Sequence, residues 1–268
     1  MTDAPQPISA NPGDAITALF KTAKAVIGVV HLAPLPGAPR YDGEGVDAIY
    51  DRALADARAY LDGGCDAVMV ENHGDIPFAK PDAIGPEVPA HMAVIADRIH
   101  TRFGKPVGVN VLANAPIPAL AVASAASAGF IRVNQWANAY VANEGLLDGD
   151  AAAAMRYRAQ LRAKGIRIFA DAHVKHGAHA ITGDRAVEEL VRDLVFFDVD
   201  AIIATGHRPA DWPPGRPRLH PTNQGGIGPA DACGERRERG QRRGHPCDCR
   251  RGHRRIFPQA GRGLVESG

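Results

Sequence analysis

A short segment near residue 170 places three titratable side chains two residues apart. Asp171, His173 and Lys175 alternate with apolar residues, so they share one face if the segment is a β-strand. Three such groups on one face are costly unless they bind a ligand or one another. Asp171 could orient His173 or hold a metal, His173 could transfer protons near neutral pH, and Lys175 could bind a phosphate or form a Schiff base. We take these three as candidate catalytic residues.

Polar residues also end the other apolar runs of the chain. Glu71 is a fourth candidate catalytic residue, although a structural ion pair with Arg132 is an alternative. A metal site of Glu71, Asp171 and His173 is chemically reasonable, but no ligand-spacing motif supports it, and we assign neither a metal nor a cofactor. Any single polar residue of this kind could instead cap a loop. The candidate ligand-binding residues are His31, Asn72, Asn110, Arg132, Asn134, Thr205 and Gly206.

Six short apolar runs position these residues, and amphipathic segments separate most of them. The predicted strands are Val26–Leu32, Ala67–Glu71, Val107–Leu112, Phe130–Asn134, Ile166–Ala172 and Ala201–Thr205. The predicted helices are Val46–Leu61, Val88–Phe103, Ala119–Ala128, Ala151–Lys164 and Asp184–Phe197. This order is typical of a parallel sheet.

The position of the polar residues decides between two parallel-sheet folds. A doubly wound nucleotide-binding sheet usually carries a glycine-rich fingerprint after its first strand, and the segment after Val26–Leu32 has none. Polar residues that collect at the carboxyl ends of successive strands favour a (β/α)8 barrel. We therefore predict an α/β protein with a TIM barrel that is incomplete, with about six βα units, followed by an irregular C-terminal tail.

The composition changes abruptly near residue 212. Residues 213–268 hold 12 Arg, no Lys, 5 acidic residues and three of the four cysteines, whereas residues 1–212 hold 19 basic and 25 acidic residues. No helical or strand period runs through the tail. We predict a flexible arm over 1–13, a partial barrel domain over 14–212 and a disordered Arg/Gly/Pro-rich tail over 213–268.

Composition and spacing argue against several classes of protein. There is no run of 18 apolar residues, hence no integral membrane segment, and the N-terminus lacks the regions of a secretory signal. Cys65 is the only cysteine outside the tail, which favours a reducing, cytoplasmic location. In the tail, Cys247 and Cys249 are too closely spaced for a typical zinc site, and the arginines lack the aromatic residues of a nucleic-acid surface. The sequence leaves a homo-oligomer open.

Six segments resemble the BtpA/SgcQ family, in the order in which that family carries them. The segments are Val26–Gly37, Gly64–Pro77, Gly108–Asn114, Phe130–Ala137, Phe169–His176 and Ala204–Gly206, within about residues 25–210. The resemblance implies a TIM barrel related to phosphate-binding barrels. It also implies two alternative functions: an enzyme that acts on a small phosphorylated metabolite, or a non-catalytic assembly factor, since the cyanobacterial namesake is associated with photosystem I biogenesis.

The tail lacks the motifs that the resemblance leads us to expect for strands seven and eight. Family members continue with a Val-Gly-Ser-Gly-Val type motif and close near a Trp-x-Asn-Pro-Val segment. Permitted codons for Cys233–Arg237 and Leu264–Gly268, read one nucleotide out of register, can give both motifs in the correct order. We interpret the tail as the product of a frameshift near residues 207–225, from a sequencing error or a pseudogene, and predict that this copy is inactive.

Overall fold

The computed structural model describes residues 12–205. The helices of this part are α1 (Pro12–Phe20), α2 (Val46–Asp62), α3 (Glu87–Phe103), α4 (Pro116–Ala125), α5 (Ala151–Gln160) and α6 (Val187–Phe196). The strands are β1 (Ile27–His31), β2 (Ala67–Glu71), β3 (Val107–Asn110), β4 (Phe130–Val133), β5 (Ala139–Ala142), β6 (Gly145–Asp148), β7 (Arg167–His173) and β8 (Ala201–Ala204). Short 3₁₀ turns cover Pro81–Ala83 and Ala180–Thr182.

Six of the strands form one sheet in the order β1-β2-β3-β4-β7-β8, and all its neighbours are parallel. Strands and helices alternate along the chain, so residues 12–205 form an incomplete TIM barrel, as the sequence predicts. Within residues 12–205, β1 pairs with β2 alone and β8 pairs with β7 alone. The described sheet therefore has two open edges instead of the closed ring that a complete barrel forms.

The two faces of the sheet bury two separate apolar cores. The outer face packs against α2 to α6 through strand residues such as Val70, Val109 and Ile168, all fully buried. The inner face carries a second cluster formed by Ile16, Phe20, Ala67, Met69, Phe130, Phe169, Ala201 and Ile203. Side chains alternate along a strand, so each strand feeds both cores.

Helix α1 covers the amino-terminal end of the inner face. Its Ile16 and Phe20 are buried in the inner core, where the Phe20 and Phe130 ring centroids lie 5.7 Å apart and the Phe130 and Phe169 centroids 4.7 Å apart. This helix is not among those predicted from the sequence. The predicted arm lies outside the described residues, apart from its last two, which begin α1.

The structure adds a β-hairpin that is not among the elements predicted from the sequence. Strands β5 and β6 pair antiparallel between β4 and α5. Val141 exchanges two backbone hydrogen bonds with Ala178, at 3.0 and 2.7 Å, which ties the hairpin to the loop after β7. Among the described residues, no helix is both long and apolar enough to cross a bilayer.

Gly108 leaves room for an aromatic ring inside the barrel. A Cβ at this position would lie 2.2 Å from atoms of the Phe130 ring. We expect Gly108→Ala to lower the free energy of unfolding by about 1–3 kcal/mol, because overpacking a dense core forces side chains and backbone to shift.

Urea unfolding followed by circular dichroism tests this prediction. Gly165→Ala is the matched control, because nothing lies within 4 Å of a Cβ built there and its φ is outside the left-handed region. The control is expected to keep or slightly raise the stability. Equal urea midpoints for the two variants would show that Gly108 is not needed for packing.

Candidate functional site

Polar side chains complete the inner face at the carboxyl ends of the strands. His31, Glu71 and Asn110 lie in register across β1, β2 and β3. Arg132 and Asp171 continue the inner face on β4 and β7. The apolar inner core forms the layer beneath them. The charges therefore lie next to a region of low dielectric constant, in which electrostatic interactions are strong. We call this set the rim cluster.

Arg132 and Asp171 form a buried bidentate ion pair. Arg132 Nε donates to Asp171 Oδ1 at 3.1 Å, and Arg132 Nη2 donates to Oδ2 at 2.9 Å. Asn134 Nδ2 adds a third hydrogen bond to Oδ2 at 3.3 Å. The side chain of Asp171 is 0% exposed and that of Arg132 is 17% exposed. Bidentate pairing of this kind adds a defined geometry to the electrostatic attraction between the two side chains.

Glu71 extends the pair into a network across the sheet. Its Oε2 accepts a hydrogen bond from Asn110 Nδ2 at 2.7 Å and lies 4.0 Å from Arg132 Nη1. Its Oε1 lies 3.3 Å from His31 Nε2. Arg132 therefore stands between two buried carboxylates, and the structural ion pair considered from the sequence is present, with Asp171 as the closer partner.

The pKa shifts follow from burial and from these partners. Burial acts to raise the pKa of Glu71, but the hydrogen bond from His31 and the charge of Arg132 bring it below its ordinary value. Complete burial raises the pKa of Asp171 against the opposing effect of Arg132. Burial alone would lower the pKa of Arg132, yet the charge and hydrogen bonds of Asp171 raise it. Arg132 thus stays a permanent cation of the rim cluster.

A first ring stack borders the rim cluster near β1 and β2. The His31 and His73 ring centroids lie 4.4 Å apart, and Phe78 meets His73 edge-on at 6.2 Å. Burial and the charges of His31 and Lys175 lower the pKa of His73, with Glu71 opposing them. His73 is consequently held in the neutral form near pH 7, in which an imidazole can accept a proton.

A second ring stack borders the opposite side, after β7. The His173 and His179 centroids lie 3.7 Å apart, and Tyr140 of the hairpin stacks on His179 at 5.6 Å. His179 Nε2 lies 2.8 Å from the carbonyl of Val174, which assigns the proton to that nitrogen. His173 is thereby held in a fixed plane at the edge of the site.

The end of β7 departs from strict alternation. The pairing between β7 and β8 shifts between Asp171 and His173, which marks a β-bulge. Ala172 keeps its predicted place in the outer core, but Val174 packs in a third cluster with Ala113, Tyr140 and Leu147. The bulge changes the direction of the side chains that follow it. The alternation of side chains between the two faces of the sheet therefore does not extend to Val174.

Tyr140 is a residue of the site that the sequence analysis missed. It is 5% exposed. Burial raises the pKa of its hydroxyl, and the charges of Glu144 and Asp171 add to the effect. The sequence does contain a signal for the hairpin that carries this residue. Two short apolar runs flank the turn residues 143–145, and such a pattern favours a hairpin.

Several predicted site residues have their polar atoms engaged within the protein. Asn72 donates to Asp75 Oδ2 at 3.0 Å and to the carbonyl of Leu112 at 3.2 Å, and its Oδ1 accepts from Leu112 N at 2.7 Å. Thr205 Oγ1 donates to the carbonyl of His173 at 2.6 Å and accepts from the amide of Lys175. These contacts organise the loops after β2 and β7.

Two further predicted site residues are Lys175 and Gly206. Lys175 follows β7 with an exposed side chain, and its charge lies close enough to His73 to lower the pKa of that residue. Gly206 lies outside the described residues. Within residues 12–205, no group of three or more His, Cys, Asp or Glu side chains is placed to hold a metal ion.

Comparison with known proteins gives one family and a set of relatives. The model of the BtpA family matches residues 22–213. An uncharacterized protein of Archaeoglobus fulgidus is 43% identical over 183 residues, which cover 68% of this chain and 71% of that protein. The photosystem I biogenesis protein BtpA of Synechocystis is 43% identical over 157 residues, which cover 59% of this chain and 54% of that protein.

Among solved structures, a mandelate racemase/muconate lactonizing enzyme-like protein from Rubrobacter xylanophilus matches with a TM-score of 0.39 at 12% identity. The match covers 69% of this chain and 51% of that protein, so the chain spans about half of its length.

Proposed function

The chain belongs to the BtpA family, and from that premise we propose that the rim cluster is the ligand site of an enzyme acting on a small phosphorylated metabolite. The observation that carries the proposal is the buried Arg132–Asp171 pair, linked to Glu71 at the carboxyl ends of parallel strands. Active sites of TIM barrels lie at this end. A non-catalytic scaffold gains no stability from charges desolvated inside the mouth of a barrel.

Two histidines serve as the proton carriers of the proposed reaction. His73 is held neutral by its surroundings, with Glu71 near it, and His173 is held in plane by the stack on His179. His73 lies in the loop after β2 and His173 ends β7, so they border the rim cluster from two sides. Arg132 stabilises negative charge that develops on the substrate, and Asp171 holds Arg132 in place.

Lys175 binds the phosphate in this proposal. It is exposed at the mouth, and a lysine contributes a mobile point charge that suits a phosphate. In TIM barrels the loops after strands seven and eight commonly complete a phosphate site. Without these loops, Lys175 alone would bind the phosphate weakly.

We further propose that the tail is read out of frame and that this copy is inactive for that reason. The match to the family ends at residue 213, next to the change in composition near residue 212. A frameshift there replaces the segments that supply the remaining strands and the phosphate loops. Resequencing the locus tests the proposal: an uninterrupted reading frame that encodes this tail, together with a stable folded product, would contradict it.

An assembly role is the second candidate function. It is favoured by one observation, the 43% identity to a protein named for photosystem I biogenesis. In this case the outer surface of the barrel binds a protein partner, and substitutions in the rim cluster leave that binding unchanged. Recovery of a defined partner by pull-down, with no small-molecule ligand in a screen, would favour this function.

A thermal-shift screen tests the enzyme proposal. The protein is the frame-restored chain, in which a single-nucleotide change returns the tail to the family reading frame, and the probes are sugar phosphates and nucleotides. We expect a sugar phosphate to raise the melting temperature, and Lys175→Ala to weaken its binding about 10- to 100-fold, as expected for the loss of a charge-assisted contact. Lys105→Ala, an exposed lysine before β3 at the opposite end of the sheet, is the control. Equal loss in both variants would refute a phosphate site at Lys175.

A further inference from the structure

Four asparagines are buried at the carboxyl ends of the strands, and two of them have fully engaged carboxamides. Asn72 uses both its oxygen and its nitrogen in the loop contacts described above. Asn114 donates to the carbonyl of Asp148 at 3.0 Å, and its Oδ1 accepts from Gln135 N at 2.8 Å. Both asparagines therefore have a structural role that accounts for their burial.

The other two asparagines each carry an oxygen without a partner. Asn110 is 1% exposed and Asn134 is 7% exposed. The Oδ1 atom of each is buried and has no hydrogen-bond donor among the residues that the structure describes. Their orientation is fixed, because the Nδ2 atoms donate to Glu71 and Asp171, and a carboxylate accepts hydrogen bonds but cannot donate them.

Two unfilled acceptors on neighbouring strands indicate a ligand. A buried acceptor left unpaired costs about 1–3 kcal/mol. Asn110 ends β3 and Asn134 follows β4, and these strands are neighbours. By the pairing of β3 with β4, Asn134 lies two residues beyond the position opposite Asn110. Adjacent strands lie about 4.8 Å apart and rise about 3.3 Å per residue, which puts the two backbones about 8 Å apart. One short hydroxylated carbon chain can bridge this span. A single small molecule can supply both missing donors.

The surrounding charges decide which kind of donor fits. An anion is disfavoured, because both oxygens stand beside carboxylates. A metal cation is disfavoured as well, because Arg132 already occupies the space between Glu71 and Asp171 as a permanent cation. Hydroxyl groups donate hydrogen bonds without adding charge, so they suit this position.

We infer that Asn110 and Asn134 bind the hydroxyl groups of a short polyol segment through their Oδ1 atoms. The inference rests on the proposed function, since it names the non-phosphate part of the same ligand. The ligand is then a polyol phosphate that lies with its hydroxylated carbons on β3 and β4 and its phosphate toward Lys175. Recognition of the hydroxyls depends only on residues before 206, so it survives in the present chain.

Ligand-observed NMR titrations of the 268-residue chain and of the frame-restored chain test this inference. The probes are erythritol and 1,4-butanediol, which share a four-carbon chain but differ by the two inner hydroxyls. We expect erythritol to bind at least 5-fold more tightly than 1,4-butanediol to both proteins. Equal affinities, or no binding of either probe, would overturn the inference and would mean that water fills the two acceptors.

Variants locate the binding. Asn110→Leu and, separately, Asn134→Leu remove an acceptor, and each is expected to abolish the preference for erythritol. Asn143→Leu makes the same change at an exposed hairpin position and is expected to keep the preference. Circular dichroism confirms folding, and the two sites provide independent variants if one of them unfolds. Retention of the preference in both folded rim variants would overturn the inference.

Two further arms separate this inference from its alternatives. A titration with MgCl₂ alone, followed in protein-observed NMR spectra, is expected to leave the asparagine side-chain resonances unchanged. Saturable binding of Mg²⁺ that Asn110→Leu abolishes would show a cation site instead. The sugar-phosphate screen reports on the proposed function independently. Sugar phosphates that bind without any preference for erythritol would leave the proposed function standing and refute the polyol contact.

Discussion

Arg132→Leu lowers the free energy of unfolding by about 3–5 kcal/mol in our account, because it leaves the fully buried Asp171 carboxylate without its charged partner. Guanidinium unfolding followed by circular dichroism measures the loss. The double variant Arg132→Leu/Asp171→Leu is expected to recover most of it, since an apolar pair of similar volume often replaces a buried ion pair at little cost.

The loss in Arg132→Leu should also depend on pH. Burial already raises the pKa of Asp171, and removal of Arg132 takes away the effect that opposes this rise. A carboxyl whose pKa is higher in the folded state than in the unfolded state stabilises the fold below its unfolded pKa, and this stabilisation is lost as the pH rises through the folded pKa. The variant is therefore expected to approach the parent chain in stability as the pH falls from 7 toward 4.

An exposed ion pair provides the control for this prediction. Arg52 pairs with Glu44 on the surface, where the Arg52 side chain is 51% exposed. Arg52→Leu is expected to change the stability by less than about 1 kcal/mol. If Arg132→Leu were as mild as Arg52→Leu and insensitive to pH, the rim cluster would not be a strongly coupled buried network.

Restoring the reading frame should raise the melting temperature by about 10–20 °C, which corresponds to a gain of about 5 kcal/mol for a domain of this size. In residues 12–205, strands β1 and β8 each lack a second neighbour. Unpaired strand edges favour aggregation, and the restored segments are expected to pair with both edges. The soluble fraction should rise together with the melting temperature.

Differential scanning calorimetry and the yield of soluble protein measure the effect of restoration. A chain truncated after residue 212 is the matched control, since it removes the tail without supplying the missing strands. It is expected to resemble the 268-residue chain. Equal stability of the restored and present chains would contradict the frameshift proposal.

The sequence predicted the six strands of the sheet and named all five residues of the rim cluster as candidates, because each prediction depends on a short stretch of residues. The six apolar runs became the six parallel strands. Parallel strands bring their carboxyl ends to one side, which places Glu71, Asn110, Arg132 and Asp171 together without any knowledge of distances. The grouping of these residues thus follows from the common direction of the strands alone.

The partners within the cluster were not accessible from the sequence. Asn110 and Asn134 are both predicted as ligand-binding residues, but only the structure shows that their nitrogens donate to Glu71 and Asp171. Their oxygens then have no donor among the described residues. The sequence pattern favours the hairpin of Tyr140, but the place of this residue in the site depends on its stack with His179 and on the pairing of Val141 with Ala178. Such contacts are set by tertiary packing.

Isothermal titration calorimetry of the 268-residue and frame-restored chains tests whether the restored segments complete the phosphate site. The titrant is the sugar phosphate that stabilises the restored chain most in the screen. We predict saturable binding to the restored chain and about 100-fold weaker binding to the 268-residue chain, a difference of about 2.8 kcal/mol. Equal affinities in the two chains, or an absence of binding to the restored chain, would contradict the account.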